Sequence, residues 1–211
     1  MNLTETRQKI FDSNDFVISE LKKIQILYEL KRIIRYDHKR NHEEHTESDA
    51  EHIFGMHCLI DFFLPLEDTE EKLDANRIRL MVQYHEIDEI VTGDKIGYQK
   101  TKAEVENERF VAEDVIVKLP EIMQQAIREA LDEYDKQTTV EAKFAKAIDK
   151  IEPVFHLYNE TGRKTLHYLK TTKEQHDRIK LPYLDNFPTI KRFAEVMSEQ
   201  FKKEGFYTSE S

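Results

Sequence analysis

Residues 84–94 read Tyr-His-Glu-Ile-Asp-Glu-Ile-Val-Thr-Gly-Asp and place one histidine and four carboxylates at the end of an apolar helical run. The apolar positions that share a helix face with His85 are Ile78, Met81 and Val82. The spacing predicts that His85 points inward, with Asp88 and Glu89 following on the same face. Buried groups of this kind need partners, so the stretch predicts a metal site, a proton relay or a salt bridge. Gly93 suits the left-handed conformation that ends a helix.

The composition predicts an all-α fold. The chain has 211 residues, of which 35% are charged, and only five glycines and five prolines. No alternation of apolar and polar residues competes with the helical periods. We therefore expect one domain over residues 1–211, built as a bundle of about seven to nine helices. Residues 1–13 are predicted to be an irregular arm, a long first helix to end near Arg35, and a last helix at about 186–205 to pack on the bundle.

Charge and hydropathy exclude several classes of function. A net charge of -10 argues against binding of nucleic acid polymers or anionic membranes, which use excess lysine and arginine. No apolar run reaches the roughly 20 residues that cross a bilayer, and the first ten residues lack the order of a secretory signal. The lone Cys58, expected to be packed in the core, excludes an internal disulfide. We expect a cytoplasmic protein.

A second inward histidine is predicted on the next helix upstream. Residues 48–51 have the form of a capping box, which starts a helix at Ser48. His52 then shares a face with the apolar residues Met56, Leu59 and Phe63. Taken alone, His52 is more often a core histidine bonded to a carbonyl than a ligand. Two inward imidazoles near carboxylates favour a divalent metal such as Zn, Mn, Fe or Co.

Other candidates gain nothing from their spacing. His38, His42 and His45 lie in a charged stretch without apolar period and are predicted to decorate a solvated loop. Lys100, in the loop after the acidic stretch, either holds a phosphate or is simply solvated. Asp149 lies off the apolar stripe of its own helix, so periodicity gives it no special status.

Three segments form a pattern: Glu-Ser-Asp-Ala-Glu-His at 47–52, His-Glu-Ile-Asp-Glu-Ile-Val-Thr-Gly-Asp at 85–94, and Glu-Ala-Lys-Phe-Ala-Lys-Ala-Ile-Asp-Lys at 141–150. Together they resemble the HD-domain metal-dependent phosphohydrolases, and more narrowly the branch that contains 5'-deoxynucleotidases. In that family a histidine, a histidine-acid pair and a distant aspartate bind one divalent metal. The resemblance implies a single HD-like helical domain and one ion (Mn, Co, Zn, Fe or Mg), with the ligands His52, His85, Glu86 and Asp149.

The resemblance also implies roles around that ion. Arg35, and Lys100 as a loop cation, would contact the phosphate of a small nucleotide substrate. Glu89 would position or deprotonate water, and Asp94 would contact the sugar or assist the leaving oxygen; these two roles are interchangeable. The family further implies a homodimer.

One position departs from the family pattern, because Glu86 stands where the family has aspartate. The extra methylene adds about 1.5 Å of reach, which can shift the metal, weaken its binding or remove a ligand. The leading hypothesis is a 5'-nucleotidase that hydrolyses (deoxy)nucleoside monophosphates to nucleoside and phosphate. The alternatives are a catalytically weakened nucleotide-binding or regulatory protein, or a hydrolase of cyclic or oligophosphate nucleotides.

Overall fold

The computed structural model describes residues 3–44, 46–68, 72–94 and 102–208. Within these ranges the chain is helical and has no β-strand, which confirms the predicted all-α fold. The α-helices are α1 (Leu3–Asp12), α2 (Asn14–Ile24), α3 (Asp49–Glu67), α4 (Ala75–Tyr84), α5 (Glu89–Thr92), α6 (Lys102–Ile116), α7 (Glu121–Lys136), α8 (Val140–His156), α9 (Glu160–Tyr168), α10 (Lys173–Lys180) and α11 (Pro188–Lys203). Short 3-10 helices span Gln25–Lys31, Arg35–Asp37 and Leu181–Tyr183.

Helix α8 is the centre of the bundle. It packs against α3, α4, α7 and α11, and α4 also packs against α7. Most of the largest fully buried side chains come from these helices and include Met56, Phe63, Met81, Phe144, Ile148 and Phe201. Burying a side chain of this size stabilises the fold by roughly 1.5–3 kcal/mol. The helices that carry the candidate site are therefore held by the main core.

The start of α3 is as predicted. The Ser48 side chain accepts a hydrogen bond from the amide of Glu51, and the Ser48 amide donates to the Glu51 carboxylate at 2.8 Å. This reciprocal pair satisfies two amides that a helix start otherwise leaves open. His52, one residue further, is fully buried. The capping box thus fixes the point at which α3 begins and the direction in which His52 points.

The N-terminal region differs from its prediction. Residues 3–12 form α1 rather than an irregular arm, and Ser13 caps the next helix by accepting from the amide of Phe16. The polar segment contains good helix formers, so the lack of an apolar stripe did not exclude a helix. The long first helix is also interrupted, because α2 ends at Ile24 and a 3-10 helix follows. Arg35 lies beyond both, at the start of the next 3-10 turn.

A short antiparallel bridge holds the chain on either side of residues 35–47. Ile34 pairs with Ser48, the Arg35 amide donates to the Glu47 carbonyl at 2.9 Å, and the Asp49 amide donates to the Ile33 carbonyl at 3.2 Å. The bridge therefore places Arg35 beside the first turn of α3.

Two further features complete the comparison with the sequence. Cys58 is exposed rather than packed in the core. Among the helices of the described residues, none combines the length and apolar character that crossing a bilayer requires.

Candidate metal centre

Four side chains from three parts of the bundle converge on one point and form a quartet. They are His52 in α3, His85 and Glu86 just after α4, and Asp149 in α8, and each offers a ligand atom within 4.8 Å of the others. The same four residues were implied by the family resemblance. The local structure around His85 differs from the prediction. Helix α4 ends before His85 and residues 85–88 form a turn, so Asp88 and Glu89 do not continue the helical face of His85.

Both histidines direct a free ring nitrogen into this cluster. The Nε2 atoms of His52 and His85 are buried and make no hydrogen bond to any residue that the structure describes. The Asp149 Oδ1 atom lies 3.6 Å from the first and 4.0 Å from the second, and Glu86 Oε1 lies 3.2 Å from His85 Nε2. Orphaned nitrogens that face two carboxylates fit a divalent cation, because imidazole and carboxylate are its common ligands.

The opposite ring nitrogens fix which tautomer each histidine adopts. His85 Nδ1 lies 2.9 Å from the Val82 carbonyl oxygen, which can only accept, so Nδ1 carries the proton. His52 Nδ1 lies 2.6 Å from Glu152 Oε2. Burial raises the pKa of Glu152, but His52 outweighs this and holds it below its usual range, so the carboxylate also accepts. In the neutral imidazole, Nε2 is therefore the nitrogen that keeps its lone pair toward the cluster. Without a metal, burial and the charge of Arg35 lower the pKa of His52, but Glu152 and Asp149 outweigh both and raise it to about 9, so a metal ion would displace a proton from its Nε2 atom.

Gly55 provides the space for the Glu152 carboxylate. A Cβ atom at this position would lie 2.8 Å from Glu152 Oε1, closer than real Cβ atoms approach. The glycine lies about one helical turn after His52 on α3. Because Gly55 has no side chain, the Glu152 carboxylate has room to lie beside α3 and accept the hydrogen bond from His52.

Glu86 reaches the cluster despite its extra methylene. Its Oε1 atom lies 3.3 Å from Arg35 Nη1 as well as close to His85. Burial raises the pKa of Glu86, but His85 and Arg35 outweigh burial and hold it well below the usual range. Arg35 itself is buried and also faces Glu47 at 3.4 Å. The carboxylate is thus ionised and shared between an imidazole and a guanidinium.

Three further carboxylates form a second acidic group beside the quartet. Asp49, Glu89 and Asp94 offer oxygens within 4.8 Å of one another, and Asp94 Oδ2 accepts from the Tyr36 amide at 2.7 Å. Burial, followed by the charge of Glu86, raises the pKa of Asp49 to about 7. Glu89 and Asp94 were expected here, whereas Asp49 was missed. Its only signal was its position three residues before His52, which puts both on one helix face.

The remaining candidates that the structure describes, His38 and His42, do not join the quartet. His38 Nε2 lies 3.3 Å from the Thr165 hydroxyl, and His42 is exposed. His45 and Lys100 lie outside the described residues. The solvated-loop interpretation fits His42, while His38 contacts α9.

The chain is similar to proteins of a known family. A family model described as an HD domain matches residues 27–191. This chain belongs to the HD domain family. Among curated relatives, the bovine 5'-deoxynucleotidase HDDC2 (Bos taurus) is 26% identical over 148 residues, covering 66% of this chain and 70% of that protein. The human 5'-deoxynucleotidase HDDC2 (Homo sapiens) is 24% identical over 138 residues, covering 64% of this chain and 65% of that protein.

Solved structures share the fold of this HD-domain protein. A predicted metal-dependent phosphohydrolase from Magnetospirillum magnetotacticum superposes with a TM-score of 0.75 at 24% identity, covering 92% of this chain and 96% of that one. An HD-domain phosphohydrolase from Listeria innocua gives a TM-score of 0.55 at 20% identity, covering 87% and 85%. At these identities the likeness establishes the architecture.

The far side of Asp149 carries cations that the sequence reasoning did not select. Its Oδ2 atom accepts from the Tyr134 hydroxyl and lies 3.0 Å from the ammonium groups of both Lys146 and Lys150. Burial raises the pKa of Asp149, but the two lysines outweigh it and hold the value well below the usual range. Oδ2 is thus engaged by cations, and Oδ1 is turned toward the histidines. Lysines flanking an aspartate in a helix carry no signal of this arrangement.

A cavity of about 580 Å³ opens beside the quartet of this HD-domain protein. Its lining includes Arg35, His85, Glu86 and Asp149, and also Lys180. Small-molecule sites commonly have volumes of this order. The candidate metal centre therefore borders a space large enough for a nucleotide.

Proposed function

We propose that this HD-domain protein is a metal-dependent phosphohydrolase that removes the 5'-phosphate from (deoxy)nucleoside monophosphates, giving nucleoside and phosphate. The observation that carries the proposal is the convergence of two orphaned imidazole nitrogens and two carboxylates beside a cavity. The relatives named 5'-deoxynucleotidase support the nucleotide as substrate.

The quartet would hold one divalent ion through His52, His85, Glu86 and Asp149. Two nitrogens and two carboxylate oxygens suit Mn, Fe, Co or Zn, and Mg is the harder alternative. When bound, such an ion attracts phosphate oxygens and lowers the pKa of water.

The protein's own cations would meet the charge of the phosphoryl group. Arg35 is buried at the edge of the quartet, and Lys146 and Lys150 flank Asp149 on the cavity wall. Fixed cations in a partly dry site stabilise negative charge that builds on phosphoryl oxygens. Lys100, from the family resemblance, would add a further cation.

The second acidic group would supply the carboxylates for general acid–base catalysis. Glu89 is buried and Asp94 is anchored by the Tyr36 amide, so both oxygens have defined positions near the quartet. One would orient or deprotonate the attacking water, and the other would contact the sugar or the leaving oxygen. The assignment of the two roles is open to exchange.

A catalytically weakened nucleotide-binding protein is the second candidate. The observation in its favour is that Glu86 Oε1, a proposed ligand, also pairs with Arg35 at 3.3 Å. The observation against it is that the same atom lies 3.2 Å from the free nitrogen of His85, so the longer side chain still arrives at the quartet.

Phosphate release tests the proposal. The protein is stripped of metal, reloaded with Mn, Co, Zn, Fe or Mg, and assayed against a panel of 5'-deoxynucleoside and 5'-nucleoside monophosphates. We expect turnover with at least one ion, and its loss in His85→Ala, while the exposed control His42→Ala retains it. Release of no phosphate from any monophosphate with any of these ions would overturn the proposal.

Two further properties stay predictions from the sequence. A homodimer is implied by the family resemblance, and a cytoplasmic location is expected because the single cysteine, Cys58, fits a reducing compartment. Light scattering of the purified protein measures the first, and it is run with reductant because the exposed Cys58 can form disulfide-linked pairs.

A further inference from the structure

Lys180 is a buried cation without an ion pair. It ends α10 and is 7% exposed. Its ammonium donates to the Lys150 carbonyl at 2.8 Å. Among the residues that the structure describes, no carboxylate lies within ion-pair distance of it. Burial, followed by the nearby charge of Lys150, lowers the pKa of Lys180 to about 7.

Such a residue is costly if its role is only structural. A buried charge is normally paired, because removing an ammonium from water costs several kcal/mol that a single carbonyl does not offset. A neutral donor would serve the Lys150 carbonyl equally well. The lowered pKa leaves Lys180 partly neutral near pH 7, which avoids part of this cost. Among the described residues its amine, which has up to three N–H donors, has the Lys150 carbonyl as acceptor. An anion that binds from outside the chain would fill the remaining donors and favour the charged form.

The cavity shows where that anion would bind. Lys180 lines the same space as the quartet, together with Lys150 and the exposed Arg178. The Lys150 ammonium lies 3.0 Å from Asp149 Oδ2, whose other oxygen faces the histidines. Lys180 and the candidate metal centre are thus connected through two adjacent residues of α8.

We propose that Lys180, with the exposed Arg178, binds a second phosphoryl group of the nucleotide while the first lies at the metal centre beside Lys150. The inference rests on the phosphohydrolase activity of the proposed function and extends its substrate class from nucleoside monophosphates to nucleotides with a second phosphate group. These are nucleoside 5'-diphosphates or nucleoside 3',5'-bisphosphates, and the shared feature is a second phosphate within reach of the first.

The test measures anion binding by calorimetry with the full-length, metal-loaded protein. Inorganic pyrophosphate is the first probe, followed by a nucleoside 5'-monophosphate, its 5'-diphosphate and its 3',5'-bisphosphate. We expect one of the two doubly phosphorylated nucleotides to bind about 10-fold or more tightly than the monophosphate, as for an added charge-assisted contact. Lys180→Gln should remove this difference and weaken pyrophosphate by a similar factor, whereas Lys202→Gln on the exposed end of α11 should leave both unchanged.

A stability measurement separates this role from a structural one. Lys180→Gln keeps a donor for the Lys150 carbonyl, and Lys180→Met removes both donor and charge. We expect Lys180→Met to retain or raise the melting temperature, because it removes an unpaired buried charge. A lower melting temperature with unchanged pyrophosphate affinity would assign Lys180 a structural role and overturn the inference.

The outcomes for the two proposals are distinct. Equal affinity of the wild-type protein for singly and doubly phosphorylated nucleotides overturns the second phosphate site, even if monophosphates are hydrolysed. If the protein binds doubly phosphorylated nucleotides more tightly in a Lys180-dependent way but releases no phosphate, the second phosphate site is supported and the proposed hydrolase activity is overturned.

Discussion

Glu152→Gln tests how the quartet is held in place. The substitution keeps the size of the side chain but replaces the carboxylate that lies 2.6 Å from His52 Nδ1. A glutamine amide can donate to Nδ1, which moves the ring proton to Nε2, the atom that faces the quartet. Loss of a carboxylate behind a metal-binding histidine typically weakens metal affinity about 10- to 100-fold, or roughly 1.4–2.7 kcal/mol.

The assay is competition between the protein and a chromogenic chelator for Zn or Mn. Glu160→Gln, which removes an exposed carboxylate of α9, is the matched control and should bind metal like the wild-type protein. Circular dichroism and a melting curve establish that each variant is folded. Wild-type metal affinity in a folded Glu152→Gln protein would refute the reasoning, because the tautomer of His52 would then not depend on this carboxylate.

Three further predictions follow from the same structure. In Gly55→Ala, the new Cβ would displace the Glu152 carboxylate, so metal affinity should fall several-fold while alanine's higher helix propensity offsets part of any loss in stability. In Glu86→Asp, the shorter side chain should withdraw from His85 and reduce metal affinity, measured by the same competition. Burial lowers the pKa of His176 from 6.5 to about 4, despite the opposing effect of its neighbour Asp177. The free energy of unfolding should therefore hold its full value above pH 6.5 and decline as the pH falls toward 4, by on the order of 3 kcal/mol.

Each of these three predictions can be contradicted by a specific measurement. Unchanged metal affinity in Gly55→Ala would show that the Glu152 carboxylate adapts. A 10-fold gain in Glu86→Asp would favour the weakened-site alternative, since the native glutamate would then be the impaired ligand. For His176, urea unfolding is compared with His176→Asn across the same pH range, and equal pH slopes would contradict the prediction.

The histidines could be predicted because their signals are local. His52 follows a capping box and His85 follows an apolar helical face, and both patterns lie within a few residues of the side chain they orient. Asp149 could not be found this way. Helix α8 is buried on several sides, so Ala142 and Ala145 are covered along with the apolar stripe, and a one-stripe pattern misplaces the flank that carries Asp149.

The supporting residues have no local signal at all. The contact between His52 and Glu152 joins positions 100 residues apart, and the one between Lys180 and the Lys150 carbonyl joins positions 30 apart. Neither spacing has a helical period. Helix α1 was also missed, because its sequence is mostly polar and the expectation of an irregular arm did not weigh its helix-forming residues.

The bridge between Ile34 and Ser48 lies at the base of the loop formed by residues 35–47, and it holds Arg35 in place independently of the rest of that loop. The Arg35 amide is held by its hydrogen bond to the Glu47 carbonyl, while residues 39–44 are not among the residues that line the cavity. Lengthening a flexible loop costs only about 0.6 kcal/mol for each doubling. A peptide tag or an environment-sensitive dye inserted at 42–44 should therefore leave the guanidinium in register, which makes this segment a place to attach a reporter of ligand binding.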